Sequence, residues 1–476
     1  MTTPQPAEKL SLKTRLLYGS GTIAFGIKDH GFNALLMLFY NQVIGLPAAW
    51  VGSALMIAMV VDALFDPLLG QYSDNVRTRW GRRHPFMYAS AIPIALSYLF
   101  LWSPPSMSDN ETFIWLVTSA VIVRMSLSLY EIPSTALLAE FSNDYDERTK
   151  LVSARYFFAM CGGVGMTILT FGYFLQPTPD HPVGHLNASG YHSYAITAAI
   201  VMAVSVLISA LGTQKHILAR PALPPAVKQS FKSMLSEMAA VLTHPAYVSI
   251  LFASLFFAVA SGLNMALQVY FGTYFWELSA TQLATLASSI FIGVLFAFAV
   301  VLPLSARFGK KAAAITMFLL SATSTATPFL LRLTGNFPVN GDPILMPLLM
   351  TQSAISWMTV VSGGILAVSM IADVTDQILL ETGKQSEGLL FSAATMVNKA
   401  ISGMGILLAG LVLTFVKFPD NAKPGMVAES ALHDLATIFV TVNSVATLLA
   451  IICLAFYPIS RSRHLENLAQ LATKPT

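Results

Sequence analysis

Asp62 and Asp66 lie in Val51–Gly70, a run that is otherwise apolar or small. Their spacing is i, i+4, so on a helix both carboxylates share one face, about one turn apart. A charge held at the centre of a bilayer costs on the order of 3 kcal/mol. Two carboxylates converging in a dry setting suit a bound cation, Na+ for example, or a shared proton. Pro67 follows directly. It weakens the local backbone ladder and frees carbonyl oxygen that could join such a site.

Other ionisable side chains stand in equally apolar surroundings. Lys28 and Asp29 fall in Ala24–Leu36, where Asp29 reads as a hydrogen-bond acceptor for a polar solute with Lys28 beside it. His30 reads as a satisfied polar group rather than a proton relay. Glu131 is followed by Pro133, which repeats the arrangement of a proline beside a carboxylate, and Ser126 and Ser128 add hydroxyls. Arg124 stands two turns before Glu131. That is too far for a direct pair along one straight helix, so each is expected to pair across to another helix. Lys399, with Thr395 and Asn398 close by in sequence, needs an acidic partner. Asp62, Asp66 and Glu131 are the candidates, and near that pair Lys399 would compete with a bound cation. The substrate-binding set is therefore Asp29, Glu131, Arg124, Lys28 and Thr395, and Asp62, Asp66 and Lys399 form the coupling set.

Such residues need elements that hold them within a membrane. Of the 476 residues, 55% are hydrophobic and 11% charged, against about 25% charged in an ordinary soluble domain. Mean hydropathy is +0.65. At about 20 apolar residues per span, this length predicts a polytopic all-α membrane protein of twelve helices. The expected domains are an N-terminal six-helix bundle (1–216), a central cytoplasmic loop (217–245) and a C-terminal six-helix bundle (246–476). The first span is expected at 15–45, following a polar segment with Lys9 and Lys13, and is read as a transmembrane helix rather than a cleaved leader. Among the 27 Lys and Arg, Lys28, Arg124, Arg155 and Lys399 fall within spans. Arg332, Lys417 and Lys423 fall in one set of alternate loops, and all the others lie in the opposite loops and tails. That bias places both termini in the cytoplasm. Trp50, Trp102, Trp115 and Trp276 are expected as an aromatic belt at the other face.

The net charge of +3 gives no reason to expect nucleic acid. Cys161 and Cys453 sit in apolar spans, so no disulfide framework is expected. No nucleotide loop, nucleophile motif or metal-ligand spacing stands out, so neither a cofactor nor an enzymatic activity is expected. The small-residue stretches Cys161–Gly165 and Ser402–Gly405 read as close helix packing. A weak internal repeat joins the halves: Gly81-Arg82-Arg83 follows span two, and Gly309-Lys310-Lys311 follows span eight.

Several of these segments together resemble the glycoside–pentoside–hexuronide:cation symporters of the major facilitator superfamily, the melibiose-permease type. The resemblance rests on Asp62 to Asp66-Pro67, the basic loop Arg79-Trp80-Gly81, Ile132-Pro133 with Ala136-Leu137, and Asn143–Arg148. It continues more weakly through Ile371–Gln377 and Lys399. It implies a cation site at Asp62 and Asp66, with a contribution from Ser128. It also implies sugar-gripping carboxylates at Asp29 and Glu131, and a matching lysine at Lys399. Four departures stand out. Phe65 occupies the place of an Asn ligand, which makes H+ more plausible than Na+. Thr135 stands where the family's type member has a Trp, and Gly364 replaces a second Trp, unless Trp357 substitutes for it. Arg124 has no counterpart in the type member and would favour an anionic substrate such as a uronide.

The expected protein is a cation-coupled symporter, driven by H+ or Na+, that imports a glycoside, pentoside or uronide by alternating access. It is expected as a monomer, multi-pass in a bacterial inner membrane, with the lipid bilayer, a small solute and a monovalent cation as its partners. The rival readings are a carrier of an amphipathic or anionic solute such as a lysolipid and, more remotely, a membrane sensor.

Overall fold

The computed structural model describes residues 10–141, 145–179, 183–219, 244–382, 387–420, 422–459, 462–463, 466–467 and 470. Most of the expected central loop, 220–243, lies outside the described residues. Apart from an isolated bridge between Thr78 and Gly81, the regular structure among the described residues is helical. The helices are α1 (Leu12–Ser20), α2 (Ile23–His30), α3 (Ala48–Asn75), α4 (His84–Leu101), α5 (Asp109–Ala136), α6 (Leu138–Phe141) and α7 (Tyr145–Leu169). They continue as α8 (Ala188–Leu218), α9 (Pro245–Tyr270), α10 (Ala280–Phe308), α11 (Lys310–Leu333), α12 (Leu345–Thr382), α13 (Glu387–Phe415) and α14 (Glu429–Ala455).

Eleven helices among the described residues are long and apolar enough to cross a membrane. Span one makes the twelfth, but not as the uninterrupted helix expected at 15–45. After α1 and α2 the chain runs through π-helical turns at Gly31–Leu35 and Phe39–Val43, on either side of a short α stretch at Leu36–Leu38. A π turn takes an extra residue per turn and so re-aims the side chains beyond it. Local signals start other spans. At α10 the Ser279 N–H donates to Gln282 Oε1 (2.8 Å), and the Gln282 N–H donates to Ser279 Oγ (3.2 Å). This reciprocal cap satisfies two donors that would otherwise face hydrocarbon.

The chain divides into two compact units, Met1–Lys228 and Gln229–Thr476. In the first, α3 packs on α5, α4 packs on α5 and α8, and the span-one helices pack on α7 and α8. In the second, α10 packs on α12, α11 on α12 and α14, and α9 on α13 and α14. Span for span, the pairing is the same, which is the tertiary form of the weak sequence repeat. The small-residue stretches do the packing expected of them. A Cβ on Gly162 would lie 2.5 Å from the Ile23 carbonyl oxygen, and one on Gly405 would lie 2.6 Å from that of Val259.

The repeat extends to the loops. Gly81 and Gly309 both have positive φ, 94° and 81°. The basic residues after each glycine reach an acidic residue of the fourth span, or just beyond it, in the same unit. Arg82 Nη2 and Arg83 Nε lie 2.8 and 2.7 Å from Glu140 Oε1, and Lys310 Nζ lies 2.5 Å from Asp373 Oδ1. A side chain with a branched Cβ is strained at such a φ by about 1–3 kcal/mol. Gly81→Val and Gly309→Val are each expected to lower the thermal unfolding midpoint in detergent. An unchanged midpoint would show that the loops relax without cost.

Two of the four belt tryptophans differ from expectation. Trp50 is exposed and Trp115 half-buried, but Trp102 and Trp276 are buried. Trp102 stacks on Tyr191 at 5.8 Å, and Trp276 packs against Phe275 and Phe329. Interior aromatic neighbours outcompete the lipid interface at both positions.

Candidate functional site

α3 carries two faces. Leu64 and Leu68 are exposed, as lipid-facing residues should be, whereas Asp62 is 3% exposed and Asp66 half-buried. Pro67 lies inside this helix without ending it. The inward face meets α5, which passes alongside and presents Arg124 and Ser128 at the same i, i+4 spacing as the two aspartates. The two pairs are in register. Arg124 Nη2 donates to Asp62 Oδ2 at 3.0 Å, with both side chains nearly inaccessible. Ser128 Oγ lies 2.9 Å from Asp62 Oδ1 and 2.6 Å from Asp66 Oδ1. Arg124 also lies over the Phe32 ring, 5.4 Å from its centroid.

This geometry restricts the chemistry. A serine hydroxyl has one proton to donate. It can donate to one of the two carboxylates, and the second contact at hydrogen-bond distance then needs a proton of its own. Formal charge points the same way. Two carboxylates and one guanidinium leave a single negative charge, which one monovalent cation cancels. A hard metal cation holds oxygen ligands at about 2.3–2.6 Å, which spaces neighbouring ligands by roughly 3.3 Å or more. The separations here are those of O–H···O bonds.

Arg124 was expected either to face the solute or to pair with another helix. The structure places it on Asp62, where its charge is engaged and gives no reason to favour an anionic solute. Lys28 and Asp29 are adjacent in sequence, yet they pair, with Lys28 Nζ 2.5 Å from Asp29 Oδ1. The flexible lysine stem folds back, its ammonium also 4.2 Å from the Phe25 ring centroid. The Asp29 side chain is 42% exposed, so it has lone pairs to offer. Glu131 is half-buried on α5, beyond Ser128. His30 has a protein partner, Thr167 Oγ1 at 2.9 Å from Nδ1. In the second unit Lys399 is half-buried on α13, and the Thr395 side chain on the same helix lies outside the described residues.

One charged residue that the sequence reading assigned no role organises the neighbourhood of Glu131. Arg155, on α7, donates from Nη1 to Ser134 Oγ (2.8 Å) and from Nη2 to Thr135 Oγ1 (2.9 Å), and it lies within the electrostatic reach of Glu131. The signal was available, since an arginine within an apolar span is itself unusual. Only its pairing onto the Ile132–Leu137 segment was hidden.

A sequence-family profile described as MFS/sugar transport protein matches residues 17–461. An uncharacterized symporter of Synechocystis, sll1374, is 25% identical, with 98% of each chain covered. The isoprimeverose transporter of Lactiplantibacillus pentosus is 24% identical over 94% of this chain and 88% of its own. The sodium-dependent lysophosphatidylcholine symporter 1 of Gallus gallus is 23% identical over 97% of this chain and 89% of its own. Among solved structures, the inward-open xylose transporter XylE from E. coli aligns with a TM-score of 0.63 at 15% identity, covering 96% of this chain and 98% of that one. The fold is that of the major facilitator transporters.

Proposed function

Because the chain belongs to the MFS/sugar transport protein family, we propose that it is a symporter importing a glycoside or pentoside together with a proton, by alternating access. The protein is a multi-pass membrane transporter, not an enzyme. The single observation that carries the choice of ion is the Ser128 hydroxyl, poised 2.9 and 2.6 Å from two carboxylates.

The proposed steps follow from charge. Arg124 keeps Asp62 ionised, Ser128 donates to Asp62, and Asp66 is the carboxyl that gains and loses the proton. With Asp66 protonated, the cluster of Asp62, Asp66 and Arg124 is neutral and its burial is cheap. With Asp66 bare, these three groups together carry a net negative charge and occlusion is disfavoured. Solute and proton then raise each other's affinity by the same factor. Asp29 and Glu131 accept hydrogen bonds from the solute's hydroxyls, with Lys28 holding Asp29 in place and Arg155 within electrostatic reach of Glu131. Lys399 takes a coupling role, on its charge within an apolar span and on the family resemblance, and Thr395 a substrate role, on its place near Lys399 in the same span. We place both termini in the cytoplasm of a bacterial inner membrane and take the monomer as the working unit.

The lysolipid relative favours a second reading, a sodium-driven carrier of an amphipathic solute. Purified protein in liposomes separates the two. A labelled pentoside or glycoside should accumulate under an inward proton gradient in choline buffer, with alkalinisation outside reported by a pH dye. Accumulation that occurs only with a sodium gradient, or only of a lysolipid, would overturn the proposal.

A further inference from the structure

Span one and α8 leave a groove of about 280 Å³ between them in the first unit, lined by Ser20 and Ile23 on one side and by side chains from residues 200–208 on the other. Ile200, Val204 and Ile208 are exposed, so the groove opens away from the core. Both of its serines spend their proton on their own helix. Ser20 Oγ donates to the Leu17 carbonyl (2.8 Å) and Ser205 Oγ to that of Met202 (2.9 Å). The wall is therefore hydrocarbon in character, as a surface facing lipid tails must be.

Close packing sets the register of the two elements. A Cβ on Gly212 would lie 2.9 Å from Leu17 Cβ, and Ser209 Oγ donates to the Tyr18 carbonyl (3.2 Å). Spans one and six cross the bilayer in opposite directions, so Lys13 and Lys215 come to the same end of the groove, on the side of the N-terminus. Lys13 stands i, i+7 from Ser20, and Ile208 stands i, i+7 from Lys215. Each lysine thus continues, two turns on, the helix stripe that walls the groove. Leu16 and Leu211, both exposed, occupy the interval. Both lysines are exposed, and neither has an ion pair among the described residues. Neither α1 nor α8 carries an Asp or Glu. Glu147 of α7, which meets span one, is already held by Arg15 (2.9 Å) and Lys150 (3.0 Å).

We infer that the groove and its two lysines are a seat for an anionic phospholipid of the leaflet on that side, with one acyl chain in the groove and the phosphate at Lys13 and Lys215. The inference needs only that the chain spans a bilayer and stands apart from the choice of solute and coupling ion. Residues 200–208 lie about 10–22 Å along α8 from Lys215. A lipid tail covers that depth, since half of a bilayer with its headgroups is about 20–22 Å. An unfilled cleft forfeits dispersion contacts along its lining, and the tail restores them. The two lysines select the headgroup. A phosphate without a cation of its own is drawn to them, whereas a zwitterionic headgroup brings an ammonium that they repel.

The test is native mass spectrometry of the purified full-length protein in detergent, titrated with dioleoylphosphatidylglycerol or dioleoylphosphatidylcholine. Each lysine at a membrane surface strengthens the attraction to anionic lipid about fivefold. The wild-type protein is therefore expected to hold one phosphatidylglycerol at least tenfold more tightly than phosphatidylcholine. Lys13→Gln combined with Lys215→Gln should bring the two lipids within threefold of each other, with the unfolding midpoint unchanged. Arg77→Gln, which removes an exposed cation from the loop after α3, should leave the preference intact. Val204→Phe, which fills the groove and spares both lysines, should weaken both lipids threefold or more. Equal affinity of the wild-type protein for the two lipids overturns the inference. So does a preference that survives the double lysine variant, or one that Arg77→Gln removes to the same extent, which would be a response to bulk charge. Wild-type lipid binding by Val204→Phe would take the acyl chain out of the groove. A dimer that Val204→Phe breaks would give the groove to a second copy of this chain and overturn the lipid seat.

Discussion

Arg124→Gln is expected to destabilise the protein by about 3–5 kcal/mol, the usual effect of removing one partner of a buried ion pair. Asp62 is 3% exposed and would lose the guanidinium that pairs with it. Taking up a proton would relieve part of that strain, at the expense of the proton site's charge balance. The measurement is the thermal unfolding midpoint in detergent together with the yield of monodisperse protein. The companion variant is Arg124→Gln with Asp62→Asn, which removes both charges and keeps the side chains polar. It should recover most of the lost stability, because replacing both members of a buried pair is far less damaging than removing one. Recovery of stability without recovery of concentrative uptake would separate the structural part of the pair from its coupling part. A double variant as unstable as the single would show that the loss comes from packing around Arg124, including its contact with Phe32, and not from charge.

Asp66→Asn should abolish accumulation and spare exchange. The amide resembles a permanently protonated carboxyl, so the cluster would be held neutral, with Asp62 still paired to Arg124 and bonded to Ser128. A carrier locked in its loaded state can swap labelled for unlabelled solute, but it cannot draw on the proton gradient. A driving force of 100 mV is worth about 2.3 kcal/mol per charge, or roughly 50-fold of concentration at one proton per solute. Uptake into liposomes should therefore fall from tens-fold accumulation to simple equilibration, while counterflow stays near wild-type rates. Asp66→Asn protein that still accumulates solute would remove Asp66 from coupling. Loss of both accumulation and counterflow would instead mark Asp66 as a residue needed for closure itself.

Much of the architecture was legible beforehand. Hydropathy marked the chain as a polytopic helical membrane protein, because the requirement for about 20 apolar residues per span is a property of the local sequence. The break in span one was not visible, since a π turn leaves the hydropathy unchanged and alters only the register. Ser128 was reached through a family resemblance. The same residues did not show that its hydroxyl sits within hydrogen-bond distance of both aspartates, across sequence separations of 66 and 62 residues. Arg124 was seen as an unusual charge with an unknown partner.

The sequence by itself determined the solvent, the repeat and the i, i+4 carboxylates. Bilayer thickness, the geometry of a glycine turn and the helical period act over a handful of residues. Only the tertiary structure decided that Arg124 serves Asp62 and that Trp102 and Trp276 turn inward. Those outcomes depend on how far each helix is rotated about its axis and slid along its neighbour. Rotation and slide are set by the sum of many weak side-chain contacts between distant residues, and no short window of sequence contains that sum.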